Sequence, residues 1–454
     1  MTASDLPHTV RDLATDILVK VETRKAYADV LLDRTLGSKF LSAPDRALLT
    51  ELTYGTLRWR GRLDACLKRL IRQPLQDTHP FVRNLLRLAL YQVLFLDRIP
   101  QYAAVNEAVK MAKSGAGSKA AGFVNGVLRN FLRESKLVAK PDPKKSPISA
   151  VAEYWSHPDW LIERWLKCFD TGQIEALLEA NNEKAPLVLR TNLRQGTREA
   201  LLELLQSNDV KASPTPWSPQ GIMVQSRILV DQLPGFHEGR FQVQGEASQL
   251  VAYLLAPRPG EHILDACAAP GGKATHIAEL MDDRGEIIAT DISAKGLQKL
   301  EESTKRLGLK TIRTSKVDLS KELNESLGHP FDRILVDAPC TGFGTLRSHP
   351  EIKWNRGEAD IRRLTDLQKE ILANAASYLK IGGVLVYSTC TLIDDENEKV
   401  VEDFLKRHRE FVLDSAAAYF PKQAQSLVRG SYFMAFPHTH NTDGFFAARM
   451  RKSV

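Results

Sequence analysis

Two cysteines at the ends of apolar runs carry the strongest chemical signal in the chain. Cys340 closes FDRILVDAPC and Cys390 closes GGVLVYSTC, so each run reads as a buried strand delivering a thiol at its C-terminal tip. The segment between them reads as helical. A helical crossover between adjacent parallel strands would bring the thiols close together. With Asp337 just upstream of Cys340, the group suits covalent chemistry on an electrophile. An isolated cysteine is more often a small buried residue than a nucleophile, but two at matched strand tips favour function. Of the others, Cys66 lies on an apolar helix face and Cys168 has no motif around it. Cys267 borders a second motif. No Cys/His pair has zinc spacing, and His438 and His440 have no nearby cysteine, so no metal is expected.

That second motif is ILDACAAPGGKATHIAEL, which runs from a strand through a glycine-containing turn into a helix. Gly271 and Gly272 permit positive φ and close backbone approach. The succeeding strand ends in Asp291, placing a carboxylate where ribose hydroxyls are bound in dinucleotide units. The turn is not GxGxxG and offers no pyrophosphate cradle. This disfavours NAD and favours a nucleoside cofactor without phosphates. Asp318 closes the expected third strand, within reach of an adenine edge, and Lys273 serves either the cofactor or the loop.

Three regions would position these residues. Residues 1–140 read as all helical: apolar residues at 63, 66, 67, 70 and 71, and again at 123, 124, 127, 128, 131 and 132, follow the spacing of one helical face. Pro100 closes the helix before it. Residues 141–240 begin with a proline-rich linker, Lys140 to Pro147, and continue as a small α/β piece. Its helices are expected at 158–169, 173–181 and 197–206, with strands at Leu187–Leu193 and Ile222–Gln225. Trp160 and Trp165 suit core packing better than base stacking. Residues 241–454 alternate strand and helix, with strands at His262–Cys267, Glu286–Asp291, Thr311–Asp318, Asp332–Ala338 and Val384–Cys390. Helices fit at 273–281, 294–307, 358–379 and 395–407, and edge strands at Phe411–Asp414, Ser431–Phe436 and Gly444–Met450. The nearly continuous apolar strands point to a parallel sheet covered on both faces.

The 454 residues carry a net charge of +7, unevenly placed. Residues 1–150 hold 25 Lys+Arg against 14 Asp+Glu, a net of +11, leaving 37 against 41 in the remainder, a net of −4. A basic N-terminal third on a nearly neutral body is what a nucleic-acid-binding appendage on an enzyme looks like. A solvated basic face would give the same count. Lys119, Arg129 and Arg133, off the apolar stripe of their helix, are candidate phosphate contacts on the first reading. No run approaches the roughly 18 apolar residues of a membrane helix. The N-terminus lacks a basic stretch followed by an apolar one, so no signal peptide is expected. The odd, scattered cysteine count argues for reduced thiols in a cytoplasm.

Taken together, CAAPGGK at 267–273, DAPC at 337–340, HPEIKW at 349–354 and STC at 388–390 resemble the RNA cytosine-5 methyltransferases that use S-adenosylmethionine. The basic helical region is similar to the antitermination factor B (NusB) fold, and the combination resembles the RsmB (Sun/Fmu) family of 16S ribosomal RNA methyltransferases over nearly the whole chain. The resemblance implies an all-α NusB-like N-terminal domain, a small α/β middle domain and a C-terminal Rossmann-like class I S-adenosylmethionine-dependent methyltransferase. It also implies that Cys267, Ala268, Ala269, Pro270, Gly271, Gly272, Lys273, Asp291, Asp318 and Asp337 line the cofactor site, and that Cys390 is the nucleophile. Where relatives often show a DASAQ-like stretch, this chain has Gln244-Gly-Glu-Ala-Ser248.

The chemistry explains why such an enzyme needs two thiols. Carbon 5 of cytosine is a poor nucleophile until a thiolate adds at carbon 6 and makes it enamine-like. A free cysteine of pKa ~8.5 is only about 3% thiolate at pH 7, so the attacking sulfur needs activation. Asp337 suits the N3/N4 edge of the base, and Cys340 is placed to take the C5 proton before elimination. The DNA enzymes use the Pro-Cys cysteine as nucleophile, here Cys340; the RNA family uses the later one, here Cys390. Arg347, His349, Lys353 and Trp354 follow Cys340 and are candidates for holding RNA. The expected substrate is small-subunit ribosomal RNA, free or in an assembly intermediate, bound by a cytoplasmic monomer. The same chemistry on transfer RNA or 23S RNA, or an inert antitermination-type RNA-binding factor, are the alternatives.

Overall fold

The computed structural model describes residues 9–37, 41–134, 140–142, 144–226, 228–321, 328 and 330–453. Pro143 of the proline-rich linker and most of the N-terminal stretch read for a signal peptide lie outside them. The chain divides into two compact units: Met1–Lys184 with Leu346–Arg356, and Ala185–Thr345 with Gly357–Val454. No described helix is long and apolar enough to cross a membrane.

The first unit is helical, beginning with Val10–Arg24, Ala28–Leu36, Ala43–Arg58, Arg60–Leu70, Pro80–Phe95 and Gln101–Glu134. Thr9 opens the first helix with a capping box and Ser42 caps the third, each meeting backbone N–H groups that the helix leaves unpaired. Gly117, at φ 82, interrupts the long helix in a conformation that side chains rarely adopt. Leu63, Cys66 and Leu67 on one helix and Val124, Val127, Leu128 and Phe131 on another enter the same core, as their spacing requires. Arg87, the one charge within the apolar run Leu85 to Leu96, is also buried. It forks onto Asp64 (2.6 and 2.8 Å) and reaches Glu22 (2.9 Å).

Glu22 gathers Arg60, Arg83, Arg87 and Asn84 around one carboxylate. Burial alone pushes that carboxyl up, but the Arg87 and Arg60 charges outweigh it and hold it down, from 4.5 to about 2. The depressed value means that its contribution is complete above pH 4.5 and is lost as pH falls toward 2. At about 1.4 kcal/mol per pKa unit, Glu22→Gln is expected to cost about 3 kcal/mol at pH 7 and much less near pH 2. Urea unfolding of the full chain at both pH values measures the difference.

In the second unit, Leu187–Thr191 (β1), Ala212–Pro214 (β2), Gly221–Val224 (β3) and Phe241–Val243 (β4) form an antiparallel sheet in the order β2-β3-β1-β4. Leu189, Ile222 and Phe241 pack there with Leu201 and Leu205 of the helix Arg198–Ser207. The larger sheet contains His262–Asp265 (β5), Glu286–Asp291 (β6), Ile312–Lys316 (β7), Phe331–Asp337 (β8), Leu379–Thr389 (β9), Phe411–Asp414 (β10), Val428–Arg429 (β11), Tyr432–Ala435 (β12) and Phe445–Lys452 (β13). Its order is β11-β12-β13-β9-β8-β5-β6-β7, with β10 beside β13. Strands β5 to β9 pair in parallel; β13 runs antiparallel to β9.

Alternate residues of these strands serve two cores. Ile263, Leu335, Val384 and Val386 face one layer, while Leu264, Ile334, Val336, Leu385 and Tyr387 face the other. A sheet buried on both faces therefore reads as continuous apolar sequence. The strand order reverses between β5 and β8, and the crevice at the carboxyl ends beside such a switch point is where open α/β sheets bind ligands. The structure shortens the third expected strand to Ile312–Lys316, so Asp318 lies beyond its end. It also adds the helix Glu246–Leu255, which takes up most of the Gln244–Ser248 stretch.

Candidate active site

Every candidate cofactor and catalytic residue sits at the carboxyl ends of β5 to β9, on the turns that follow, or on the first turn of the helix after β5. After β5 the chain makes the 266–271 turn and enters the helix Gly272–Leu280. Gly271 has φ +108, and a Cβ there would lie 2.4 Å from Leu300 Cδ1, so the turn admits only glycine without rearrangement. Asp291, at the end of β6, accepts the Ala269 N–H (3.1 Å) and the Ser293 N–H (2.8 Å), fixing the turn against the neighbouring strand. Asp318 accepts both the hydroxyl and the N–H of Ser320 (2.6 and 3.1 Å). It is half exposed beyond β7.

Lys273, on the first turn of the helix, reaches across to Asp337. Its Nζ donates to Asp337 Oδ2 at 2.5 Å, while the Ser388 hydroxyl donates to Oδ1 at 2.8 Å. Both oxygens of Asp337 are thus held from neighbouring elements. Beyond it, Cys340 and Cys390 meet with their sulfurs 3.4 Å apart, in contact and unbonded. The Cys340 thiol is pushed up by its hydrogen bond with Cys390 and then by burial. Burial and the nearby carboxylates likewise raise the Cys267 thiol. The TGFGT turn is tightly constrained: Gly344 N–H donates to the Cys390 carbonyl (2.9 Å), and a Cβ on Gly344 would lie 2.1 Å from the Gly444 carbonyl oxygen.

Two further residues belong to this site that sequence reasoning passed over. Asp265, the last residue of β5, is wholly buried, and neither side-chain oxygen has a hydrogen-bond partner among the described residues. Burial, then the charge of Asp337, pushes its carboxyl up to about 8. Raised from 3.8, it costs stability progressively as pH rises toward 8. Asp265→Asn is expected to abolish that loss, so guanidinium unfolding of variant and wild type should diverge between pH 5 and pH 9. The second residue, Arg190 of β1, is fully buried and forks onto Glu279 (3.1 and 2.7 Å). It also donates to the Gly272 carbonyl (2.7 Å), Thr275 Oγ1 (3.1 Å) and the Gln244 side chain, so it clamps the first turn of the helix Gly272–Leu280. Either could have been found as a charge at the end of, or inside, an apolar strand.

The residues fit a nucleoside ligand that brings its own hydrogen-bond donors. The buried Asp265 carboxyl precedes a left-handed glycine turn, and Asp291 stands at the tip of the next strand.

The HPEIKW segment does something different from what its position after Cys340 suggests. It belongs to the helical unit, where Lys353 Nζ donates to the Arg58 carbonyl (2.8 Å) and Asn182 Oδ1 (2.9 Å). Trp354 Nε1 donates to the Leu57 carbonyl (3.0 Å), and Arg347 donates to the Lys184 carbonyl (3.2 Å). Lys353 and Arg347 are buried anchors rather than open grips for RNA. Trp165 is core as well, and His440 accepts the Phe436 N–H through Nδ1. Among the described residues, the three ligand-type side chains close enough for a metal ion are Asp29, His349 and Glu351, in that helical unit.

Comparison with known proteins agrees across the chain. Residues 252–451 match the family described as 16S rRNA methyltransferase RsmB/F, residues 8–133 the NusB family, and residues 157–231 the RsmF/B-like ferredoxin-like domain. The probable ribosomal RNA small subunit methyltransferase B of Bacillus subtilis is 38% identical, covering 98% of this chain and 99% of its own. The ribosomal RNA small subunit methyltransferase B of Pectobacterium carotovorum is 35% identical over 98% of this chain and 99% of its own. Among solved structures, the crystal structure of PH0851 superposes with a TM-score of 0.82 at 28% identity, covering 98% of this chain and 100% of its own. That of NSun6 from Pyrococcus horikoshii with SFG covers 65% of this chain and 98% of its own, with a TM-score of 0.58 at 26% identity. The fold is thus a NusB helical domain, a ferredoxin-like middle domain and a methyltransferase domain, and the chain belongs to the RsmB family of RNA methyltransferases.

Proposed function

We propose that the protein methylates carbon 5 of a cytosine in 16S ribosomal RNA through a transient bond between Cys390 and carbon 6. The observation that carries this reading is the contact of two thiols, 3.4 Å apart, at the tips of adjacent parallel strands, with Asp337 closing one of them. S-adenosylmethionine supplies the methyl group when bound, held by Cys267 to Lys273, Asp291, Asp318 and Asp337. The Cys390 thiolate adds to carbon 6, and the pair of electrons released from the C5–C6 double bond makes carbon 5 nucleophilic. Asp337, kept in place by Lys273 and Ser388, meets the N3/N4 edge by accepting the N4–H and fixes the orientation of the base for the addition. Once the methyl group is on carbon 5, Cys340, its own proton released to solvent, removes the C5 proton as a thiolate. The double bond re-forms and the Cys390 sulfur leaves.

A base inside a duplex cannot reach such a pocket, so the substrate is a loop or extruded nucleotide in free RNA or an assembly intermediate. It is bound by a monomer. Lys119, Arg129 and Arg133 are exposed on the long helix of the NusB domain and suit phosphate contacts. Bisulfite sequencing of ribosomal RNA from a strain lacking the protein tests the assignment. Loss of one 5-methylcytosine from the small subunit is expected. An unchanged 16S pattern, with a site lost from transfer or 23S RNA or from none, would overturn it.

A further inference from the structure

Among the described residues, neither reacting thiol has a hydrogen-bond partner outside the pair; the residues on either side of each do. Thr341 follows Cys340, and both of its polar groups end on Glu396: the N–H donates to Oε1 (2.9 Å) and the hydroxyl to Oε2 (2.5 Å). Thr391 follows Cys390, and its hydroxyl lies 2.9 Å from that of Thr341. Because the Thr341 proton goes to the carboxylate, Thr391 is the donor of that pair. On the other side of each cysteine, Gln368 Nε2 donates to the Pro339 carbonyl (2.9 Å) and to Glu396 Oε1 (3.0 Å). Asn397, next to Glu396, accepts from the Thr389 hydroxyl (2.5 Å) and donates to the Thr391 carbonyl (3.0 Å). The Tyr387 hydroxyl, from inside β9, closes the network on the Glu396 carbonyl (2.6 Å).

Glu396 is completely buried, although it sits in the acidic run Asp394-Asp395-Glu396. A buried carboxylate with three donors is stiff, because any movement strips hydrogen bonds that water cannot replace. It touches neither thiol, and it bridges the two turns that carry them.

We infer that Glu396 is a positioning residue that sets the spacing of Cys340 and Cys390 by tying Thr341 and, through it, Thr391 to one carboxylate. Its consequence for catalysis rests on the two-thiol mechanism proposed above; its consequence for geometry does not. Displacing reacting groups by an ångström costs about a hundredfold in rate.

The test separates the two. Phenylarsine oxide bridges two thiols only at contact distance, forming two As–S bonds and releasing water. Wild type is expected to take up one equivalent at Cys340 and Cys390. Glu396→Ala is expected to slow that capture at least tenfold, with unchanged affinity for S-adenosylmethionine. In methylation assays the same variant should lose about a hundredfold in kcat with KM for RNA unchanged. Glu396→Gln, which keeps the acceptor for the Thr341 N–H, should recover most of it. If Glu396→Ala proves poorly folded, Thr341→Val removes the bridging hydroxyl at nearly constant volume and should slow capture severalfold by itself. Wild-type capture in these variants, or losses that track cofactor affinity, would overturn the inference. Slowed capture in an enzyme that never forms a protein–RNA adduct would instead sink the mechanism and leave the positioning role standing.

Discussion

Cys390→Ala is expected to abolish methyl transfer while leaving S-adenosylmethionine binding intact. Cys340→Ala is expected to trap a covalent protein–RNA adduct. Removing a nucleophile from an enzyme that works through a covalent intermediate costs on the order of 10³ to 10⁶ in rate. Removing the group that permits release costs turnover but leaves bond formation possible. The two variants therefore part on a denaturing gel with labelled RNA: a shifted band for Cys340→Ala, none for Cys390→Ala or the double variant. An adduct that requires Cys340 and survives loss of Cys390 would reverse the roles. The 3.4 Å contact between the sulfurs makes the experiment informative, since either thiol is near enough to substitute for the other if the chemistry allowed it.

Arg190→Ala is expected to be the most damaging change away from the thiols. The guanidinium is fully buried and bonds Glu279, Thr275, Gln244 and the Gly272 carbonyl, so truncation leaves an uncompensated carboxylate in the core. Breaking one partner of a buried ion pair typically costs about 3–5 kcal/mol, a large share of a marginal fold's total. Replacing both partners with apolar residues, as in Arg190→Met with Glu279→Leu, should recover most of that loss. Chemical unfolding curves of the single and double variants measure both. The double variant should nonetheless bind cofactor more weakly, because the first turn of the cofactor helix loses its anchor at Gly272.

The sequence made the strand tips legible because a sheet buried on both faces writes itself as unbroken apolar runs, each ending in a polar residue. Asp291, Asp337 and Cys390 could be placed within a residue or so of a strand end on that basis. Asp318 could not: β7 is the edge of the parallel set, only partly buried, and its end carries no apolar signal. Partnerships at long separation were equally silent. Nothing near Lys353 in sequence announces Asn182 or Arg58, and Lys353 looked like a surface cation offered to RNA. Glu396 was hidden by its acidic neighbours, and Arg190 by a short strand whose partner helix lies 89 residues on. Periodicity reports what a residue's own element buries; it is blind to charges that another element buries for it.

The path of the chain carries an evolutionary consequence. The backbone passes between the two units at Lys184, at Thr345 and again at Arg356, because the short segment Leu346–Arg356 folds with the helices rather than with the strands on either side of it. A gene cut after residue 184 would therefore not yield two working halves. The downstream product would carry Lys353, an ammonium whose acceptors are the Arg58 carbonyl and Asn182, without either of them. Stripped of a front half, such a descendant would have to rewrite this insertion before it could fold well. The helical domain and the methyltransferase are thus tied through this insertion, and recombination that swaps one should succeed only when it carries eleven residues of the other with it.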